Sequence, residues 1–286
     1  MSHLFIFGEQ RTGSTLIHTL LRKHPQITAT PNDFNLVYLY KKGLKIFPHN
    51  KDLIKFIKWG LGDLFSLSIK LKTFDRSEII RYVINAYFNK QEEPIKVHKT
   101  PKGEHDLEYY REAFDDVLFL YTIRNPLGIL SSRKYWDLTG GWKKVKKSKA
   151  SFREVREAFE ILRLVFNRMC NSIKIIDENY WSGDTLGLIL YEQFVSDPIP
   201  ILKNIFRRLG IEHNEKIFKN LLNISGPYTS YKEFSNKKGI YTNSVDKWKY
   251  MLTDLEKNVI YNEFKKFTKD YTFKNKELEK IMKGYL

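Results

Sequence analysis

Short, mainly apolar runs recur along the chain, and between them lie stretches in which apolar residues return every three or four positions. The runs at 4–7, 95–98, 117–123 and 185–191 are brief and are followed by loop residues. That is the pattern of parallel strands covered on both faces. The periodic stretches predict helices over 14–24, 76–89, 104–113, 126–136 and 151–179. In the longest, Phe152, Val155, Phe159, Leu162, Phe166 and Met169 form one apolar stripe that would pack on a sheet. Strands alternating with helices predict an α/β fold: a single domain over 1–286 with a central, mainly parallel sheet flanked by helices. Residues 32–72 are aromatic but poorly periodic, with Lys-Lys-Gly and Phe-Pro breaks, and read as a helical insert over the strand ends.

The first strand runs through Gly8-Glu9-Gln10-Arg11-Thr12-Gly13-Ser14-Thr15 into the first helix, a P-loop-like strand-loop-helix. Amides at a helix start lack intrahelical partners and carry the positive end of the helix dipole, so Arg11, Thr12, Gly13, Ser14 and Thr15 read as a phosphate cradle. The spacing from Gly8 to Gly13 fits G-x-x-x-x-G-K-[ST], but Ser14 stands where that motif has lysine, and Arg11 is the nearby cation. The loop therefore holds a phosphorylated ligand in a manner unlike that of an NTPase. Ligands of parallel sheets sit beyond the carboxyl ends of the strands, where Arg11, His98 and Arg124 are expected. Pro126 suits a helix start, which sets Arg124 at a strand-helix junction with Ser132 about two turns onward, an arginine fork and a hydroxyl suited to phosphate. A basic loop, Asn236-Lys237-Lys238-Gly239, precedes Asp246-Lys247-Trp248-Lys249.

Composition narrows the classes. Forty-nine Lys and Arg against 33 Asp and Glu give a formal charge of +16, which favours polyanionic partners. No zinc-finger spacing, RNP motif or basic zipper accompanies that charge, so a nucleic-acid partner is not expected. The Lys143–Lys149 run reads as a solvated loop. Cys170 is the single cysteine, which excludes an internal disulfide and fits a reducing cytoplasm. The chain enters its first strand without a leader pattern, and no apolar run reaches the ~18 residues of a membrane span.

Taken in order, these residues resemble the sulfotransferases that use 3′-phosphoadenosine 5′-phosphosulfate (PAPS). The resemblance implies that Gln10 to Leu16 bind the 5′-phosphosulfate, that Arg124 and Ser132 bind the 3′-phosphate, and that Lys237, Lys238 and Gly239 close on the same phosphate. Leu190-Tyr191-Glu192-Gln193-Phe194 is similar to a family stretch whose tyrosine lies near adenine, a role that Tyr191 shares with core packing as alternatives. Thr229-Ser230-Tyr231 resembles an element whose aromatic ring, here Tyr231, stacks on adenine. Ile95-Lys96-Val97-His98-Lys99-Thr100-Pro101 resembles two branches at once, one with a catalytic histidine and one whose base is a carboxylate after the first helix. The acceptor's base is thus open between His98 and Asp33, although Asp33 equally suits a helix cap. Arg11 would meet the charge of the breaking bond, and Lys96 or Lys99 would steady the sulfuryl oxygens.

The implied reaction moves a sulfuryl group in line to a hydroxyl or amine of a carbohydrate or small-molecule acceptor, releases 3′-phosphoadenosine 5′-phosphate (PAP), and requires no metal. Two other classes stay open: a P-loop kinase using ATP and magnesium, and a non-enzymatic polyanion binder. The acceptor and the oligomeric state are not legible in the residues.

Overall fold

The computed structural model describes residues 2–30, 76–88, 92–100, 103–140, 152–223, 240 and 242–286. The expected insert over 32–72, Asp33, Tyr231 and the loop of Lys237, Lys238 and Gly239 lie outside the described residues. Five parallel strands, β1 (Ser2–Phe7), β2 (Ile27–Ala29), β3 (Ile95–Lys99), β4 (Val117–Ile123) and β5 (Thr185–Leu190), form one sheet in the order β2-β3-β1-β4-β5. Helices cover both faces. In chain order they are α1 (Ser14–Leu21), α2 (Arg76–Phe88), α3 (Leu107–Ala113), α4 (Pro126–Gly140), α5 (Phe152–Asn179), α6 (Tyr191–Ser196), α7 (Pro198–Leu209), α8 (Glu215–Leu222), α9 (Trp248–Met251), α10 (Asp254–Asp270) and α11 (Lys276–Gly284).

The continuous apolar run of β1 follows from its central place in the sheet. Successive side chains point to opposite faces. Leu4 and Ile6 join Val97, Leu120, Leu16 and Ile17 of α1, and Phe206 of α7. Phe5 and Phe7 join Phe119, Tyr110 of α3, Phe166 and Met169 of α5, and Phe264 of α10. The described part of the predicted α5 stripe, Leu162, Phe166 and Met169, is buried as its spacing implies. Among the described residues no helix is long and apolar enough to cross a membrane.

The helix expected over 126–136 runs on to Gly140, and other elements also differ from expectation. The first helix ends at Leu21 because the amides of Lys23 and His24 reach back only three residues, to Leu20 and Leu21, ahead of Pro25. The helix expected over 104–113 begins as a 3-10 turn, Gly103–Asp106, before α3 takes over at Leu107. β2, only three residues long, escaped the apolar-run criterion.

The C-terminal segment is fastened to α5 by a buried acid. Asp177, near the end of α5, accepts hydrogen bonds from Tyr271 Oη (3.0 Å), Lys274 N (2.7 Å) and Asn275 N (2.8 Å). Asn275 in turn caps α11 by accepting from Glu277 N and Leu278 N.

Ile6 is fully buried in the central strand. Ile6→Ala should cost about 3 kcal/mol by loss of burial and the cavity it leaves. Urea unfolding checks this: the midpoint should fall at an unchanged m-value.

Candidate functional site

β1 delivers the chain to its carboxyl edge at Phe7, and the next residues turn sharply. Gly8 (φ 142°) and Gly13 (φ 94°) adopt backbone conformations that L side chains rarely take, and Arg11 (φ 78°) does so as well. At both glycines the space is also closed. A Cβ on Gly8 would lie 2.3 Å from Thr122 Oγ1 of β4, and one on Gly13 would lie 2.3 Å from Cδ2 of Tyr191. The loop is therefore pressed between the neighbouring strand and the first residue of α6.

Hydroxyl groups tie it down. Thr12 Oγ1 donates to Glu9 O (2.8 Å) and lies 2.6 Å from Thr122 Oγ1, which donates to Phe7 O (2.9 Å). Amides that face away from the cradle have carboxylate acceptors: Gln10 N donates to Glu9 Oε1 (3.0 Å) and Gly8 N to Glu104 Oε2 (3.2 Å). Arg133 Nη1 holds the loop tip by donating to Gln10 Oε1 (2.9 Å). The start of α1 has no side-chain cap, since Gly13 occupies the N-cap position. Its first-turn amides are thus left for an anion, in a loop whose shape is already set.

Three sequence-predicted cations meet here. Arg11 is part of the cradle itself. Lys99, the last residue of β3 and nearly buried, donates from Nζ to Thr15 Oγ1 (2.7 Å) on the first turn of α1. Arg124 closes the other side. Its Nη1 donates to Arg11 O (3.1 Å), its Nη2 donates to Ser244 O (2.6 Å), and its guanidinium lies 4.2 Å above the Tyr191 ring. Two of its five N–H donors are used in this way. Tyr191 is nearly buried, with its edge on Gly13 and its hydroxyl 2.6 Å from Ser244 Oγ. It acts as a spacer that sets the separation between the cradle and the arginine. Ser132 lies on α4, on the helix that Arg124 precedes.

Two expected site residues are not brought to the cradle. His98 precedes Lys99 by one residue, so its side chain points to the opposite face of the sheet. There it is fully buried, with its ring stacked on Phe5 (centroids 4.4 Å apart) and the edge of Phe88 against it (5.2 Å). Its Nε2 is 3.0 Å from His3 Nδ1. Burial holds the pKa of His98 well below its ordinary value, and lowers that of His3 to about 4. Both rings are therefore neutral near neutrality, one supplying the N–H and the other the lone pair. Lys96, on the same face and nearer the start of β3, lies 3.9 Å from Glu93 and 5.4 Å from the Phe88 ring centroid.

Sequence reasoning missed Thr122, Glu104, Glu192 and Ser244. Glu192 accepts from Asn125 N (3.0 Å) and from Tyr285 Oη (3.0 Å), and faces Arg124 Nε at 4.0 Å. Thr122 and Glu192 both lie in stretches that the motifs mark, Thr122 two residues before Arg124 and Glu192 next to Tyr191, but neither residue type signals its role there.

The sequence matches the sulfotransferase family over residues 3–215. No curated protein sequence matches this chain. Among solved structures, the sulfotransferase domain of the Synechococcus PCC 7002 olefin synthase is 19% identical, with 92% of this chain and 94% of that one covered and a TM-score of 0.58. The sulfotransferase domain from the curacin biosynthetic pathway is 17% identical over 92% of this chain and 97% of that one, with a TM-score of 0.55. Mouse SULT7A1, solved in complex with PAP, is 14% identical over 100% of this chain and 89% of that one, with a TM-score of 0.55. At these identities the likeness carries the fold.

Two outcomes follow from the geometry. Gly13→Ala forces a Cβ into the Tyr191 ring at positive φ; inorganic pyrophosphate should raise the melting temperature of the unaltered protein and leave that of the variant unchanged. The buried His3–His98 pair binds protons in the unfolded chain below about pH 6.5 but resists them when folded, so its contribution is lost as pH falls from about 6.5 towards 4. A His3→Phe, His98→Phe double variant should lose less stability than the unaltered protein between pH 7 and 4.5, measured by urea unfolding at each pH.

Proposed function

The chain belongs to the sulfotransferase family, and from that premise we propose that it transfers the sulfuryl group of PAPS to a hydroxyl or amine of a carbohydrate or small-molecule acceptor, releasing PAP. The observation that carries the reading is the uncapped start of α1, framed by Arg11 and by Lys99 on Thr15, with Ser14 in place of a Walker lysine. The nucleotide is supported by the PAP complex of mouse SULT7A1, a protein of the same fold. The residues present suit it: a rigid loop with outward amides for one phosphate group, and an arginine held at a fixed distance for another.

In this reading the donor supplies the sulfuryl group, which passes in line to the acceptor oxygen or nitrogen as its bond to the 5′-phosphate breaks. Negative charge then grows on the departing phosphate oxygen, and Arg11 with the first-turn amides of α1 meets it at fixed positions. Lys99 steadies the transferring oxygens, and its short bond to Thr15 keeps the ammonium at the helix start. Arg124 and Ser132 hold the 3′-phosphate, joined by Lys237, Lys238 and Gly239, while Tyr231 stacks on adenine. Tyr191 contributes by spacing the two phosphate sites. With His98 enclosed by His3, Phe5 and Phe88, Asp33 is the base that takes the acceptor's proton.

Thermal shift tests the nucleotide. PAP without magnesium should stabilise the protein by about 2.7 kcal/mol at a hundredfold excess over Kd; a response confined to ATP with magnesium would favour a kinase, and steeply salt-dependent oligonucleotide binding alone would favour a polyanion binder. Arg124→Ala should weaken PAP at least about tenfold, and Arg124→Lys should not rescue it, because an ammonium cannot span the two carbonyls and stack on Tyr191. For the base, Asp33→Asn should lower turnover by about 10²-fold or more with PAP affinity kept, whereas His98→Phe should alter stability and spare turnover. The reverse pattern would return the base to His98.

A further inference from the structure

Behind the phosphate loop, on the side away from the α1 amides, lies a buried carboxyl that the transfer reaction does not use. Glu104 sits in the 3-10 turn after β3 and is almost wholly buried. Its Oε2 accepts from Gly8 N (3.2 Å), and its Oε1 accepts from Ser172 Oγ of α5. It thereby links the first residue of the cradle to the longest helix. Among the described residues, the groups that bear on it are Glu9 on the loop, Tyr110 of α3, Tyr121 of β4 and Ser172 of α5. None of these is a cation.

We propose that Glu104 is a positioning residue that anchors the phosphate loop through the Gly8 amide and takes up a proton when an anion binds on the other side of that loop. The inference rests on the anion-binding reading of the cradle. Two features of the geometry support it. A carboxylate buried among tyrosines and beside a second acid is met, among the described residues, only by hydrogen bonds from the Gly8 amide, its own amide and the Ser172 hydroxyl, so a further negative charge a few residues away raises the cost of keeping it ionised. The bonding also survives protonation. The carbonyl oxygen still accepts from Gly8 N, and the Ser172 hydroxyl turns to accept where it had donated. Burial already lifts the Glu104 pKa to about 7, so an approaching anion would shift its titration through the neutral range. His3, His24 and His98 are held below their ordinary values and are neutral in that window.

The sign follows from linkage: binding that takes up a proton weakens as pH rises. PAP and inorganic pyrophosphate are titrated calorimetrically into the full-length protein from pH 6 to 8.5, in buffers of differing ionisation enthalpy. The expected result is net proton uptake and an affinity that falls with pH, by at most about tenfold per pH unit. Glu104→Gln reproduces the protonated acid in shape and bonding, so it should bind at every pH as the unaltered protein does at its acid limit. The ligand's own phosphate titration is common to both proteins and cancels in the comparison. Ser172→Ala removes the donor that favours the ionised form and should move the slope to higher pH. A flat profile, or an unchanged slope in Glu104→Gln, overturns the proposal and leaves the nucleotide reading intact. If Glu104→Gln does not fold, absence of proton uptake in the unaltered protein overturns it equally. Pyrophosphate binding with the slope but no PAP binding would uphold Glu104 and sink the nucleotide; binding of neither anion would overturn both.

Discussion

The close approach of the β1–α1 loop to β4 and to Tyr191 is the constraint on which the candidate site depends. Gly8 lies against Thr122 and Gly13 against the Tyr191 ring at separations that leave no room for a Cβ. Squeezed on both sides, the chain between them must turn within four residues, and Arg11 absorbs the turn at φ 78°. A residue other than glycine held there costs about 1–3 kcal/mol. The hydroxyl pair Thr12–Thr122 and the carbonyl bonds it makes offset that cost locally. What the strain yields is direction, because a loop in this conformation cannot turn its helix-start amides back into the protein.

Amides in a tight loop that do not face the ligand still need acceptors, and here acids serve. Gln10 N is taken by Glu9 and Gly8 N by Glu104. Putting carboxylates behind an anion site looks counterproductive, yet it sorts the backbone donors: those at the rear are spent, and those at the start of α1 are kept. The cations stand on the other side, with Lys99 on Thr15 and Arg124 over Tyr191. The field across the loop therefore runs from buried acids to the cations beside the start of α1 and Tyr191 over a short distance. The formal charge of +16 says nothing about this arrangement; the site is built from a few charges of both signs.

Much of the fold was legible because burial on both sheet faces leaves short apolar-rich runs, which β1, β4 and β5 carry; β3 shows them only through Ile95 and Val97, with Lys96, His98 and Lys99 between and after. β2 was not legible, since three residues at a sheet edge make no pattern. The cradle was legible from glycine spacing, as the turn permits few other residues at Gly8 and Gly13. Its supports were not. Thr122 and Tyr191 act through contacts more than a hundred residues away from the loop in sequence, and neither type signals such a role. The histidine shows the limit most sharply. A position near a strand end places a residue at the correct edge of the sheet, but the two-residue period decides the face, and His98 and Lys99 fall on opposite ones.

The last described helix extends the same logic beyond the stretch matched to the family, which ends at residue 215. Arg124 can serve a phosphate only if its strand end is held, and that end is gripped by Glu192 through Asn125 N and the nearby Arg124 Nε. Glu192 is itself fixed by Tyr285 Oη, one residue past α11. Burial and the adjacent carboxylate push the Tyr285 hydroxyl far above its ordinary pKa, so it stays a donor to Glu192 under all ordinary conditions. Tyr285 is held in turn by α11, whose start Asn275 caps, while Asp177 ties Asn275 to the long helix that also carries Ser172. α5 thus supports both halves of the site: through Ser172 and Glu104 it braces the loop, and through Asp177 and the C-terminal segment it braces the arginine. Through these two routes α5 keeps the two candidate phosphate-binding elements in register.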